Sequence, residues 1–380
     1  MKLSTYTYAD TDRAPRASIP LKNPDRTLLI MFGPSRLLDT PEPIQSVLAA
    51  YPGAAAIGCS SSGEIIGTHI QDDTLVVGVI QFDSTTVRTA SAPVTDPGKS
   101  FEAAQSLANQ LMAPGLGGVL VLSDGLGVNG SELIRGLNSV LPANIVVSGG
   151  LAGDGDRFKR TWVVKDGLPV GGYVTAVGLY GTAVRLTHGS KGGWDLFGPE
   201  RLITRSQGNV LYELNHKPAL QLYKDYLGEL ANGLPGTALH FPLSIRQAQE
   251  NAKRLVRTIL AIDHTAQSLT FAGDMPEGAY AQFMRANFDR LIQGASDAAT
   301  LAAPFGTDSS PTLSIAISCV GRRMVLGQRT EEEVEAAFDV LPKGAQQVGF
   351  YSYGEISPYA TGHCDLHNQT MTLTTISEAA

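Results

Sequence analysis

The sequence is short of positive charge, sparing with cysteine, and free of long apolar runs. Thirty-six acidic residues against 29 Lys and Arg leave 380 residues with a net charge of −7. A protein that grips nucleic acid through phosphates needs a basic face. No cluster of Lys and Arg interleaved with aromatics supplies one, which excludes nucleic acid as a partner. The three cysteines, Cys59, Cys319 and Cys364, are odd in number and scattered. They build no disulfide framework and suit a reducing cytoplasm. Apolar runs such as Thr74–Phe82 have strand length, short of the roughly 18 residues a membrane helix requires. The first residues, MKLSTYTYADTDRAPRAS, lack the apolar stretch of a secretory signal. The expectation is a cytoplasmic chain with no membrane partner. With 43% hydrophobic and 17% charged residues, it has the composition of a folded globular protein.

What is present is a unit written three times. Each unit is an apolar strand, a helix, a second strand and a small-residue turn closing on glycine and an acid. The first runs Thr27–Phe32, a helix near Ile44–Tyr51, Ala54–Cys59, then a turn to Gly63-Glu64. The second runs Gly118–Ser123, a helix Ser131–Val140, Ile145–Ser148, then a turn to Gly153-Asp154. The third runs Thr312–Cys319, a helix Glu331–Phe338, Gln347–Phe350, then a turn to Gly354-Glu355. Reuse of one supersecondary unit points to a shared core, and strand–helix alternation points to α/β layers. The fold class is therefore α/β, with repeated strand–helix–strand units forming mixed sheets flanked by helices.

Thr74–Phe82 is apolar almost throughout and predicts a strand covered on both faces. Asp166-Gly167 predicts a hairpin between Thr161–Lys165 and Val170–Tyr180. Asn129 with Glu132, and Thr330 with Glu333, have capping-box spacing. In Arg285–Ala299, Phe288, Leu291 and Ile292 fall on one helical face. Glycines 189, 192, 193 and 198 read as a loop, and Asn232–Pro242 as a Gly/Pro-rich break. The composition shift between about 190 and 240 divides the chain into two domains, 26–215 and 216–380, after a loose arm at 1–25.

Several motifs carry chemistry on paper. Gly125–Gly130 (GLGVNG) matches the dinucleotide-binding glycine pattern between a strand and a helix, with Asp154 as the ribose acid. Only one of the three units carries it, which favours ordinary loop glycines. Gly58–Glu64 (GCSSSGE) does not fit a nucleophile elbow and reads as a tight turn. His363–His367 (HCDLH) lacks the second cluster a zinc site needs. Arg322 and Arg323, at the end of a core strand, can hold a carboxylate or pair with Glu355. His240, in the apolar segment LHFPL, is either a half-buried structural histidine or a haem ligand in low-dielectric surroundings. His188 and His264 are the alternative imidazoles.

Together the runs Gly58–Ile65, Gly149–Asp154, ELNHKPAL at 213–220, Pro276-Glu277-Gly278, Cys319–Gly327, Gly349–Pro358 and Leu366–Thr370 resemble the FIST family over about residues 27–377. The resemblance implies paired FIST N and FIST C domains that sense small ligands, such as amino acids, in signal transduction. One branch of stand-alone FIST proteins binds haem, senses nitric oxide and acts on a partner histidine kinase. That branch implies haem as cofactor, His240 as its metal ligand, nitric oxide as the small ligand, and a histidine kinase as partner. A homodimer is compatible with it. For a non-haem ligand the pocket candidates are Arg322, Tyr353 and Glu355, since guanidinium and carboxylate complement the two ends of an amino acid.

Overall fold

The computed structural model describes residues 1–8, 19–247, 253–303, 311–359 and 362–379. Its α-helices are α1 (Glu42–Ala49), α2 (Ser100–Leu111), α3 (Gly130–Asn138), α4 (Ala219–Leu227), α5 (Phe288–Ala302), α6 (Val320–Leu326) and α7 (Thr330–Phe338). Among the described residues no helix is long and apolar enough to cross a membrane.

The three repeats become three six-stranded sheets of one topology. At the centre of each lies a parallel pair: Thr27–Gly33 with Ala55–Ser60, Leu116–Ser123 with Val146–Leu151, and Leu313–Cys319 with Gln346–Ser352. On one side, two antiparallel strands extend the sheet. They are Leu75–Gln81 and Lys2–Tyr8, Tyr173–Tyr180 and Thr86–Pro93, and Met371–Glu378 and Val184–Lys191. On the other side, each sheet is finished by a hairpin that belongs to a different unit. Glu64–Gln71 leaves the first unit to pair with Phe350 in the third. Val163–Val170 leaves the second to pair with Cys59 in the first. Gly354–His367 leaves the third to pair with Gly149–Leu151 in the second. The exchange is cyclic and closes.

Inner faces of the three sheets meet in one core, where Ile30, Phe32, Leu122, Val177, Ile317 and Phe350 pack together. Phe32 and Phe350 stack across units with ring centroids 4.7 Å apart. Each outer face is covered separately, by α1, by α2 and α3, and by α5 and α7. This is why the central strands are apolar on both faces, as the Thr74–Phe82 run predicts: Leu75–Gln81 is buried at every position.

A fourth sheet spans residues 195–285. It has its own core of Leu211, Leu220, Tyr223, Phe271 and Phe283 around α4. In space, then, the chain is a ring of three units with an insert, whereas composition alone suggests a division near 215.

Other expectations change. Lys2–Tyr8 is an edge strand, not a loose arm; residues 9–18 of that arm lie outside the described residues. The 166–167 turn joins Val163–Lys165 to Leu168–Val170, and Tyr173–Tyr180 pairs in another sheet. Gly189 lies inside the strand Val184–Lys191, and it is glycine because a Cβ there would come within 2.1 Å of the Ala298 carbonyl of α5. On α5 the buried face is Leu291, Gly294, Ala295, Ala298 and Ala299, while Phe288 is exposed. Asn129 does cap α3, accepting from the amides of Ser131 and Glu132 at 3.0 and 3.1 Å. Thr330 caps nothing: its hydroxyl donates to the carbonyl of Arg323, and Glu333 turns into the core.

Candidate functional site

The three small-residue turns meet. The Ser62 amide donates to the Tyr351 carbonyl at 2.8 Å, Gly153 to Ser60 at 3.0 Å, and Tyr353 to Leu151 at 3.1 Å, a closed ring of backbone bonds. The carboxyl ends of all six parallel strands are thereby gathered on one face of the ring. Two chambers open there. The first, of about 680 Å³, is polar and lined by Pro34, Ser61, Glu64, Asp72, Asp156 and Arg323 among others. The second, of about 630 Å³, is largely apolar and lies between the ring and the insert. Gly125, Leu151, Cys319 and Tyr353 contribute from the ring, and Leu239, Thr258, Ile259 and Phe271 from the insert. Asp156, Val320 and Met324 line both, so the chambers adjoin.

The acids at the three turns have different fates. Asp154 accepts from Arg157 at 2.6 Å and is held below the usual carboxylate range by hydrogen bonds from Ser35 and Arg157, which outweigh its desolvation. Glu355 is fully buried. It accepts from Ser352 Oγ at 2.7 Å and from Thr370 Oγ1 at 2.9 Å, and burial raises its pKa to about 8. Glu64 is 1% exposed, lines the polar chamber, and has an Oε2 with no hydrogen-bond partner. Burial raises it too to about 8, eased by Ser61. The neighbouring Arg323 holds Asp72 through two bonds of 2.9 and 2.7 Å.

Of the residues singled out in the sequence, Tyr353 is at the site. It stacks on Phe158 with centroids 4.5 Å apart, and its hydroxyl donates to Gly155 O at 3.1 Å. Burial pushes its pKa up to about 12. Arg322 lines neither chamber and does not pair with Glu355. It is fully buried against Glu333 of α7, with Nη2 2.7 Å from Oε2. Its neighbour Arg323 is the arginine that faces the site. Nothing in the sequence separates the two, since their order along α6 decides which one points inward. Glu64 was legible only as part of a repeated turn. Phe158, Thr258, Ile259 and Phe271 carry no signal in the sequence, while Met324 and Leu239 fall inside the runs Cys319–Gly327 and LHFPL without being distinguished there.

The histidines are dispersed. His240 is half-buried and lines neither chamber; its neighbour Leu239 does. Burial holds the His240 imidazole below its ordinary pKa. His188 lines a separate cavity of about 580 Å³ with His367, between Leu186, Leu255, Val256 and Leu301. Its Nδ1 is buried without a partner. His264 is at the surface beside Lys224 Nζ, 3.2 Å away. Among the described residues no group of three His, Cys, Asp or Glu side chains is arranged to hold a metal ion.

The GLGVNG loop borders the apolar chamber, yet its first three amides are already used. Leu126 and Gly127 donate to Asp124 Oδ1 at 2.9 and 2.8 Å, and Gly125 to Thr161 Oγ1 at 3.0 Å. A pyrophosphate would have to displace a carboxylate. Gly125 is explained by packing, since a Cβ there would fall 1.9 Å from Ala152 O.

A model of the FIST N domain matches residues 27–217, and one of the FIST C domain matches residues 219–358. The chain belongs to the FIST family. FIST domains are sensor domains of signal transduction that take small ligands. The junction between the two family domains, at 217–219, cuts through the insert just before α4, near the division expected from composition. No curated protein matches the chain. Among solved structures, cyanuric acid hydrolase from A. caulinodans is similar over 100% of this FIST chain and 99% of its own, at 9% identity and a TM-score of 0.33.

Proposed function

We propose that this FIST protein is a cytoplasmic sensor whose small ligand, an amino acid or a related metabolite, occupies the joined chambers between the ring and the insert. One observation carries this reading. The residue at or just past the end of each parallel strand, Pro34, Ser61, Gly125, Leu151, Cys319 and Tyr353, lines one of the two chambers. Ligands of α/β proteins gather at the carboxyl ends of strands, and here six such ends serve one site. The insert supplies the opposite wall through Leu239, Thr258 and Phe271, and the Thr258 hydroxyl is buried with no partner. A ligand that touches both bodies favours one placement of the insert over others and shifts that population. A partner such as a histidine kinase then reads the insert's position. The test is Leu239→Trp, which fills the apolar chamber from its rim. Stabilisation by a metabolite hit in a thermal-shift screen should disappear in the variant; a hit that stabilises both proteins equally overturns the site.

A second reading, haem with nitric oxide as the signal, is favoured by a different observation. His188 offers an orphan ring nitrogen in an apolar-walled cavity, whereas His240 reaches neither chamber. Haem would supply an iron that binds the gas; His188, or His240 if it turns inward, would supply the imidazole. Both rings are kept neutral by burial, the form that ligates metal.

A further inference from the structure

Resting on the same joined chambers, we propose that the polar chamber selects the ligand's charged end: a primary or secondary ammonium seated on Glu64, carried by an apolar body in the neighbouring cleft. Glu64 Oε2 is a buried acceptor without a donor. A buried acceptor left without a donor is costly, and Glu64 lies in the wall of the polar chamber. The chamber's charge agrees. Asp72, Asp73, Asp156 and Glu331 line it with Glu64, against only Arg157 and Arg323. Both arginines are already held, by Asp154 and by Asp72. A ligand whose only charge is a carboxylate would meet acids and two arginines already paired. An ammonium would meet one orphan acceptor and an acidic rim.

A metal ion would also suit acids, but no described cluster has ligand geometry. A quaternary ammonium has the charge but no N–H for Oε2. The apolar half of the ligand is set by the adjoining chamber, where Leu126, Val128, Leu239, Ile259 and Phe271 form the walls. Burial raises the Glu64 pKa to about 8, with Asp72 raising and Arg323 lowering it, so at neutral pH seating an ammonium on the carboxylate releases a proton.

The experiment is calorimetric titration of the full chain with hexylamine, hexyltrimethylammonium, hexanol and hexanoate, repeated on Glu64→Gln and Leu239→Trp. Hexylamine should bind at least tenfold more tightly than the other three, and that preference should collapse in Glu64→Gln. Equal binding of hexanol or hexanoate, or a preference that survives Glu64→Gln, overturns the ammonium assignment. Should Glu64→Gln fail to fold, the four-ligand series on the unmodified protein still decides. If all four bind alike and Leu239→Trp abolishes them, the chamber stands as the site and only the ammonium falls. If none binds, or Leu239→Trp changes nothing, both readings fall together.

Discussion

Arg322 and Glu333 form an ion pair with neither side chain exposed to solvent, the guanidinium 2.7 Å from the carboxylate. Ser318 Oγ and Tyr351 OH donate to the other carboxylate oxygen at 3.0 and 2.8 Å. Arg322 in turn donates to the carbonyls of Leu291 and Gly192. The pair therefore fastens α6 and α7 to α5 and to the turn that leads into the insert. Removing one partner of such a pair strands a buried charge, at a cost of about 3–5 kcal/mol. Arg322→Met should lose stability on that scale in urea unfolding, and Arg322→Met with Glu333→Leu should recover most of it. A single variant as stable as the parent would show that the pair is not sealed from water.

Stability should fall between pH 6.5 and 8. Glu64 and Glu355 titrate near 8 when folded against an ordinary 4.5. The native protein thus keeps protons that the unfolded chain has released, and each carboxyl erodes stability by up to about 1.4 kcal/mol per pH unit over that interval. His367, depressed from 6.5 to about 4, acts in the opposite sense but only below 6.5. Glu355→Gln should flatten the fall by about half. Parallel curves for variant and parent at pH 6.5 and 8 would refute the assignment.

Glu378 closes the chain onto the first inter-unit turn. Its carboxylate accepts from the amides of Asp83 and Thr85 at 2.6 and 2.7 Å and from Thr85 Oγ1 at 2.7 Å. These bonds outweigh its desolvation and lower its pKa to about 2. Its contribution is present above the ordinary 4.5 and is lost as pH falls towards 2. Glu378→Ala should lower the melting temperature at pH 7, and the gap to the parent should close in acid. A gap that persists at pH 2 would sink this account.

Gly63 has φ near +135°, and a Cβ there would lie 2.3 Å from Arg323 Nη1. Gly63→Ala should cost about 1–3 kcal/mol through backbone strain. It should also push Arg323 off Asp72, weakening ligand binding beyond the stability loss. Unchanged thermal stability would contradict both effects.

For the haem reading, absorbance of haem-titrated protein separates the two imidazoles. His188→Ala should abolish the Soret shift on nitric oxide, and His240→Ala should preserve it. The reverse pattern would restore His240 as the ligand, and no Soret band in the parent would leave the small-metabolite reading alone.

Much of the fold is legible because both faces of the repeat strands are buried, so Thr27–Phe32, Gly118–Ser123 and Thr312–Cys319 are largely apolar, with Ser314 and Ser318 the interior exceptions. The elements that the sequence does not reveal depend on partners distant along the chain. Lys2–Tyr8 (KLSTYTY) is mostly polar with no clean alternation, and becomes a strand beside Leu75–Gln81. Thr330 and Glu333 have the spacing of a cap, but a buried Arg322 outcompetes the helix end for the carboxylate. The three turns are equivalent in the sequence, yet equivalence cannot say that Glu64 lines a chamber while Glu355 is sealed beneath Thr370. The insert's wall was invisible, since its residues meet the ring only after folding.

The cyclic hairpin exchange makes the three units interdependent. No unit is complete by itself: each sheet ends in two strands borrowed from another unit, so an excised unit has an open edge and a hairpin with nowhere to dock. Three separate copies of one unit, related by a threefold axis, would satisfy every one of those pairings, because a heterologous contact closes when its rotation completes a circle. The simplest object with this architecture is therefore a homotrimer.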